Sequence, residues 1–110
     1  MEISVDHQDE VTIIAAQGSI DALTADKFLA TMQAQREGGR NQLVVDLSDV
    51  SYTSSAGLRA ILVVVKECRQ VGGDLRLAAI QKGVYRVLEM SGFNSILKIF
   101  DNCLLYTSDA

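Results

Sequence analysis

The sequence predicts a single α/β domain, in which helices cross over between the strands of a mixed sheet of four to five strands. The chain has 110 residues, enough for one core and too few for two. Hydrophobic residues make up 48% of it, which favours a packed core over disorder. Strand-like apolar runs alternate with helical spacing in the order β-β-α-β-α-β-α-β. No proline and no low-complexity linker marks an internal boundary.

Two strands are predicted at the start of the chain, at residues 3–6 and 11–16, where β-branched residues are frequent. A polar break at residues 8–10 suits a hairpin between them. Gly18 follows the second strand and is expected to end it.

The apolar period changes to that of a helix from Thr24 onward. The apolar positions of this first helix are Ala25, Phe28, Leu29 and Met32. Thr24 is the predicted N-cap, and Asp26 lies favourably in the first turn. Glycines 38 and 39 are expected to end the helix.

The central part of the chain predicts a buried strand and a long helix. Residues 43–47 are nearly all apolar, as expected for a strand covered on both faces. The helix that follows has a clear apolar stripe, formed by Leu58, Ile61, Leu62, Val65 and Cys68. Val63 and Val64 widen the stripe and predict burial over a broad arc, and glycines 72 and 73 end the helix.

The last third of the chain predicts a strand, a short helix and a final strand. The strands are expected at residues 75–80 and 97–100. The apolar positions of the helix are Val84, Val87 and Leu88, and Gly92 is expected to end it.

Charge and cysteine content exclude several classes of function. The net charge of −4 argues against non-specific nucleic-acid binding, which needs a basic field. Cys68 and Cys103 lie far apart with no His pair beside them, so neither a disulfide framework nor a zinc site is indicated.

No basic and apolar leader follows Met1, and the longest apolar run, residues 60–65, is far shorter than the ~20 residues that span a bilayer. We expect a reduced, cytoplasmic protein without direct membrane insertion.

Residues 44–58 are the most informative segment, because an apolar strand leads into a loop that ends in hydroxyl side chains at a helix start. Ser54 and Ser55 lie at that positive helix end, a favourable position for a phosphate or for a partner that senses one. Either serine could instead act as an N-cap, a role that contributes ~1 kcal/mol.

Three segments together resemble the STAS domain, a family named from sulphate transporters and anti-sigma-factor antagonists. They are Gly18-Ser19-Ile20-Asp21 followed by Thr24-Ala25, then Val44-Val45-Asp46-Leu47-Ser48-Asp49-Val50, and then Ser54-Ser55-Ala56-Gly57-Leu58. The resemblance extends over residues 3–100. It implies a four-to-five-stranded sheet with helices on one side.

The resemblance also implies a function. In bacterial anti-sigma-factor antagonists of this family, a serine in the loop is phosphorylated by a partner kinase that is also the anti-sigma factor. The unphosphorylated antagonist binds this kinase and releases the sigma factor, whereas the phosphorylated form does not bind. A cognate phosphatase is a further partner that such a cycle admits.

The family motif assigns roles to individual positions. Ser55 aligns with the phosphoacceptor, Ser54 replaces the usual aspartate, and Asp21 matches an acidic residue near the same surface. The expected partner-binding residues are Asp21, Ser54, Ser55, Gly57, Leu58 and Arg59. The serine at position 54 leaves two possibilities open: the partner compensates for the lost carboxylate, or phosphorylation is weak or absent.

Two other functions compete with this one. The first is a STAS subunit of a membrane lipid-transport complex, held without a phosphate switch, and Ser54 in place of aspartate favours it. The second is a small nucleotide-binding or hydrolytic enzyme, which lacks a glycine-rich phosphate loop and a base other than His7. Asp46 and Asp49 make a weak metal pair without a third ligand, and Asp46 could equally be a loop anchor. We expect no catalysis, no cofactor and no metal.

The end of the chain departs from the family pattern. Residues 103–110 show no helical stripe where a last amphipathic helix would be expected. We therefore predict a STAS domain over residues 1–102 and a non-native tail over residues 103–110. A native segment that docks loosely is the alternative.

Overall fold

The strands and helices follow one another in the predicted order. The computed structural model describes residues 2–100. Its elements are β1 (Glu2–Gln8), β2 (Val11–Gln17), α1 (Ala25–Glu37), β3 (Gln42–Asp49), α2 (Ser55–Gln70), β4 (Asp74–Ala78), α3 (Lys82–Met90), a short 3₁₀ helix (Phe93–Ser95) and β5 (Lys98–Phe100). The sequence pattern did not predict the 3₁₀ helix. The predicted boundary at residue 102 and the tail lie outside the described residues.

The five strands form one mixed sheet in the order β1-β2-β3-β4-β5. β1 runs antiparallel to β2, as the hairpin predicts, and each later strand runs parallel to its predecessor in the sheet. The carboxyl ends of β2, β3 and β4 therefore lie at one edge of the sheet. The loops that follow these strands meet at this edge.

The main core lies on one face of the sheet. β3 contributes Leu43, Val45 and Leu47 to it, and all three helices pack their buried side chains into the same core. On the opposite face Val44 and Ala78 form only a small buried cluster. The three buried residues at positions 43–45 confirm burial on both faces of β3, but within residues 2–100 helices cover only one of them.

The side of α2 that faces the core differs slightly from the predicted stripe. Leu58, Ile61, Val65 and Cys68 are buried as predicted. Leu62 is only half-buried, whereas Val64 is completely buried. Val63 is 42% exposed, so the predicted broad arc was wrong on that side. Helix rotation relative to the sheet decides which flank of an apolar stripe is covered, and spacing alone does not define it.

Glycines end the first two helices much as the sequence predicts. α1 ends at Glu37 and α2 at Gln70, each shortly before a glycine pair. Gly39 and Gly72 have φ angles of 90° and 83°, a left-handed conformation that glycine adopts without steric cost. Both turns return the chain to the edge of the sheet at which the parallel strands begin.

Candidate functional site

Two loops are joined at the carboxyl edge of the sheet. Ile20, after β2, and Thr53, after β3, form an isolated parallel bridge. The Ile20 amide donates to the Tyr52 carbonyl at 2.9 Å, and the Ser54 amide donates to the Ile20 carbonyl at 2.7 Å. Ile20 is fully buried and Thr53 is 3% exposed. These bonds bring the Asp21 and Ser54 segments together, as the motif predicts.

Ser54 is the N-cap of α2. Its backbone is extended, with φ −81° and ψ 170°, and its hydroxyl accepts a hydrogen bond from the Gly57 amide at 3.3 Å. The Leu58 amide donates to the Ser54 carbonyl at 3.2 Å. The half-buried Ser54 side chain therefore satisfies one of the orphan amides of the helix start.

Ser55 is the first residue of α2 and is exposed. Nη2 of Arg59, one turn further along the helix, lies 3.5 Å from the Ser55 hydroxyl oxygen, at the limit of a hydrogen bond. Within residues 2–100 the Ser55 hydroxyl makes no other hydrogen bond. The structure thus separates the two serines that the sequence leaves ambiguous: one caps the helix and the other faces solvent.

Asp21 organises the turn that leads into α1. Its Oδ1 accepts hydrogen bonds from the Leu23 and Thr24 amides, both at 2.9 Å, and the Thr24 hydroxyl accepts one from the Asp21 amide at 2.9 Å. This reciprocal pattern is a capping box. The Thr24 amide and hydroxyl, followed by the Leu23 amide, hold the pKa of the Asp21 carboxyl below its usual value.

The predicted capping role of Thr24 was therefore wrong in its chemistry. Thr24 precedes α1 as expected, but its side chain makes no capping hydrogen bond to the helix. It has helical φ and ψ angles of −91° and −15°, whereas a capping side chain normally requires an extended residue. Asp21 supplies the cap one turn earlier.

Gly57 and Leu58 lie in the interior rather than on the surface. Leu58 is 2% exposed and belongs to the main core. A Cβ on Gly57 would lie 2.6 Å from Cγ2 of Ile20 and would overlap Oγ1 of Thr53. Of the six expected partner-binding residues, these two position the helix, while Asp21, Ser55 and Arg59 are exposed.

Two exposed apolar side chains lie next to the site and were missed by the sequence reasoning. Leu23 is 90% exposed within the Asp21 turn, and Tyr52 is 53% exposed beside the bridge. Leu23 falls outside the apolar stripe of α1, which is the sequence signal that could have identified it. Both side chains leave apolar surface in contact with solvent beside the polar residues of the site.

The other side chains considered for chemistry have structural contacts. Oδ1 of Asp46 accepts a hydrogen bond from the Ser48 amide at 2.9 Å, and both residues lie in the last part of β3 rather than in a loop. His7 is exposed on β1, where Nε2 lies 2.7 Å from Oε1 of Gln35. Cys68 is fully buried, and burial raises the pKa of its thiol. Residues 2–100 bring together no group of three or more His, Cys, Asp or Glu side chains suited to a metal ion.

A family comparison decides what kind of domain carries this site. The model of the STAS domain matches residues 2–103, nearly the whole chain. The chain belongs to the STAS family. The mixed sheet, the one-sided helices and the loop at the start of α2 are thus the expected parts of a STAS domain.

Curated relatives of this STAS domain are named as anti-sigma-factor antagonists. One, BtrV of Bordetella bronchiseptica, is 38% identical over 99 residues, which cover 90% of this chain and 85% of the relative. The anti-sigma F factor antagonist of Paenibacillus polymyxa is 31% identical over 105 residues, which cover 93% and 88%.

A crystal structure of a protein from Thermotoga maritima shares the fold. It superposes with a TM-score of 0.92 at 24% identity, covering 97% of this chain and 92% of that one.

No helix within residues 2–100 of the STAS domain combines the length and apolar character needed to cross a membrane.

Proposed function

We propose that this STAS domain is a cytoplasmic anti-sigma-factor antagonist that works by partner switching. With Ser55 unphosphorylated, the domain binds an anti-sigma factor that is also a serine kinase, and the sigma factor is released. Phosphorylation of Ser55 ends the binding, and a phosphatase restores it. The role is regulatory rather than catalytic, and it belongs to residues 1–102, without a contribution from the tail.

The observation that carries this proposal is the different environment of the two serines. The Ser54 hydroxyl is occupied by the Gly57 amide at 3.3 Å, whereas Ser55 is exposed at the first position of α2. A kinase needs an accessible hydroxyl on a segment that can enter its active site. Ser55 meets this requirement, and Ser54 would first have to give up its cap.

The charge of a phosphate explains how the switch would work. A phosphate adds about −1.5 to −2 charges to Ser55 at neutral pH. The surface around it offers the exposed apolar side chains of Leu23 and Tyr52. A partner that covers them removes water from the same region, so burying a phosphate to which the partner offers no cation would cost several kcal/mol in desolvation. That cost is enough to end binding.

The test is phosphorylation by the cognate anti-sigma kinase with ATP, followed by mass spectrometry. We expect one phosphate, on Ser55. Ser55→Ala should abolish it and keep kinase binding, because a methyl group adds no charge. Ser55→Glu should weaken binding at least tenfold, since a poorly paired interface charge costs about 1.4 kcal/mol or more. Ser54→Ala is the matched control and should leave phosphorylation of Ser55 largely intact.

The main rival is a constitutive subunit of a membrane lipid-transport complex. The serine at position 54 favours it, because the Ser54 side chain is an uncharged cap rather than the carboxylate usual beside the acceptor. If neither serine is phosphorylated and Ser55→Glu still binds the kinase at full strength, the switch is refuted. Phosphate found only on Ser54 would also refute the assignment of Ser55.

A further inference from the structure

We infer that Arg59 pairs with the phosphate of phosphorylated Ser55 and so closes an ion pair within the chain. This inference rests on the proposed phosphorylation and describes how its product is regulated. Nη2 of Arg59 lies 3.5 Å from Oγ of Ser55 in the unmodified protein. The two residues are four positions apart on α2, a spacing that makes their side chains neighbours on one helix face.

Arg59 is available for this contact. It is exposed, and within residues 2–100 its guanidinium makes no ion pair with a carboxylate and no hydrogen bond other than the one to Ser55. A guanidinium group offers a planar set of donors that matches phosphate oxygens in a bidentate manner. A phosphate would add three acceptor oxygens to an atom that Nη2 already approaches.

The serine at position 54 favours the same pair. An aspartate there would place a second negative charge next to the phosphate and would compete for Arg59. In this chain the position is uncharged, and its hydroxyl accepts from the Gly57 amide. Asp21, the acid of the adjoining loop, has its Oδ1 bound by the amides of its own turn. No carboxylate at position 54 therefore opposes an Arg59–phosphate pair.

The pair would change the surface in two ways at once. Phosphorylation would replace the neutral Ser55 hydroxyl by an anion, and it would also withdraw the Arg59 guanidinium from contact with a partner. A partner that uses both features loses both in one step. A phosphate held by Arg59 is also less accessible to a phosphatase, so the pair would prolong the phosphorylated state.

The experiment uses the 110-residue chain with phosphoserine incorporated at position 55 during translation, so that no kinase is needed. The second pKa of the phosphate, ordinarily about 6, is followed by phosphorus NMR. The parent, Arg59→Gln and Lys66→Gln are compared at one ionic strength. Lys66 is exposed on the same helix, about 16 Å along the axis from Ser55. Its replacement removes the same charge, while the field of the helix start is common to all three proteins.

We expect Arg59→Gln to raise the phosphate pKa by about 0.2–0.7 units, as loss of an exposed ion pair predicts. Lys66→Gln should change it by less than ~0.1 units because of distance and screening. A non-specific phosphatase should also remove the phosphate at least twice as fast from Arg59→Gln as from Lys66→Gln.

Two results would overturn the inference: equal pKa values for Arg59→Gln and the parent, or equal shifts in both variants, which would indicate only a general charge effect. A kinase that fails to modify Ser55 would refute the proposed function. The phosphate pKa could still be measured, because phosphoserine is incorporated during translation and not by the kinase. The two failures can therefore be told apart.

Discussion

Replacing Gly57 by alanine tests how closely the start of α2 packs against the two loops that the Ile20–Thr53 bridge joins. Helix propensity alone predicts that alanine stabilises the protein by ~0.5–1 kcal/mol. The structure predicts the opposite sign. The new Cβ would lie 2.6 Å from Cγ2 of Ile20 and would overlap Oγ1 of Thr53. These neighbours are 0% and 3% exposed, so neither has room to move away.

The expected size follows from these two opposing effects. Overpacking of a closed site costs ~1–3 kcal/mol, and the propensity gain offsets up to about 1 kcal/mol of it. With the full propensity gain set against it, the net loss should reach up to about 2 kcal/mol, which would lower a urea unfolding midpoint by up to about 1 M at an m-value of ~2 kcal/mol/M. Because Thr53 precedes the Ser54 cap, the displacement should also slow phosphorylation of Ser55 by the kinase.

Gly83→Ala is the matched control, since Gly83 also lies in the first turn of a helix, α3. A Cβ there would meet only the Ser51 carbonyl, at 3.6 Å, which is ordinary contact. This variant should be unchanged or more stable by up to ~1 kcal/mol. If Gly57→Ala proves as stable as the parent, the close contact between α2 and the bridge of Ile20 and Thr53 is refuted.

Further predictions concern the core and the caps. Leu47→Ala should destabilise by ~2–5 kcal/mol in urea unfolding, because Leu47 is 1% exposed, whereas half-buried Leu62→Ala should cost less, about 1–2 kcal/mol. Equal losses would contradict the observed rotation of α2. Ser54→Ala should cost ~1 kcal/mol in the same assay, the usual value of an N-cap, and an unchanged midpoint would contradict that role. Asp21→Asn should lower the melting temperature at pH 7. The carboxyl pKa is depressed by folding, so its contribution is present above the ordinary pKa of 3.8 and is lost as the pH falls through the lower folded value. A deficit that does not shrink in acid would contradict this assignment.

The element order and the site position could be predicted from the sequence because both depend on local signals. The period of Ala25, Phe28 and Met32 identifies α1, and all three are buried. Hydroxyl residues before the apolar stripe of α2 indicate its start, since the first amides of a helix have no partner within the helix and such side chains can satisfy them. The two polar segments at Asp21 and Ser54 each follow a strand, and the family motif predicts that they lie on one surface.

The roles within the site depended on contacts between distant segments. Both serines have the chemistry of a cap and of a phosphoacceptor, and only the extended backbone of Ser54 and its bond from Gly57 separate them. Asp21 rather than Thr24 caps the turn before α1, because the cap depends on backbone angles that residue type does not specify.

Local periodicity thus determined the succession of strands and helices, the breaks at glycines and the place of the hydroxyl-rich loop, because each depends on neighbours a few residues away. The tertiary structure decided that helices cover one face of the sheet, and that the flank of α2 at Val64 rather than Leu62 is fully buried. It also decided that position 57 has no room for a Cβ atom, because Ile20 and Thr53 lie too close. These features depend on how distant segments pack, and that arrangement is a property of the whole core rather than of any single segment.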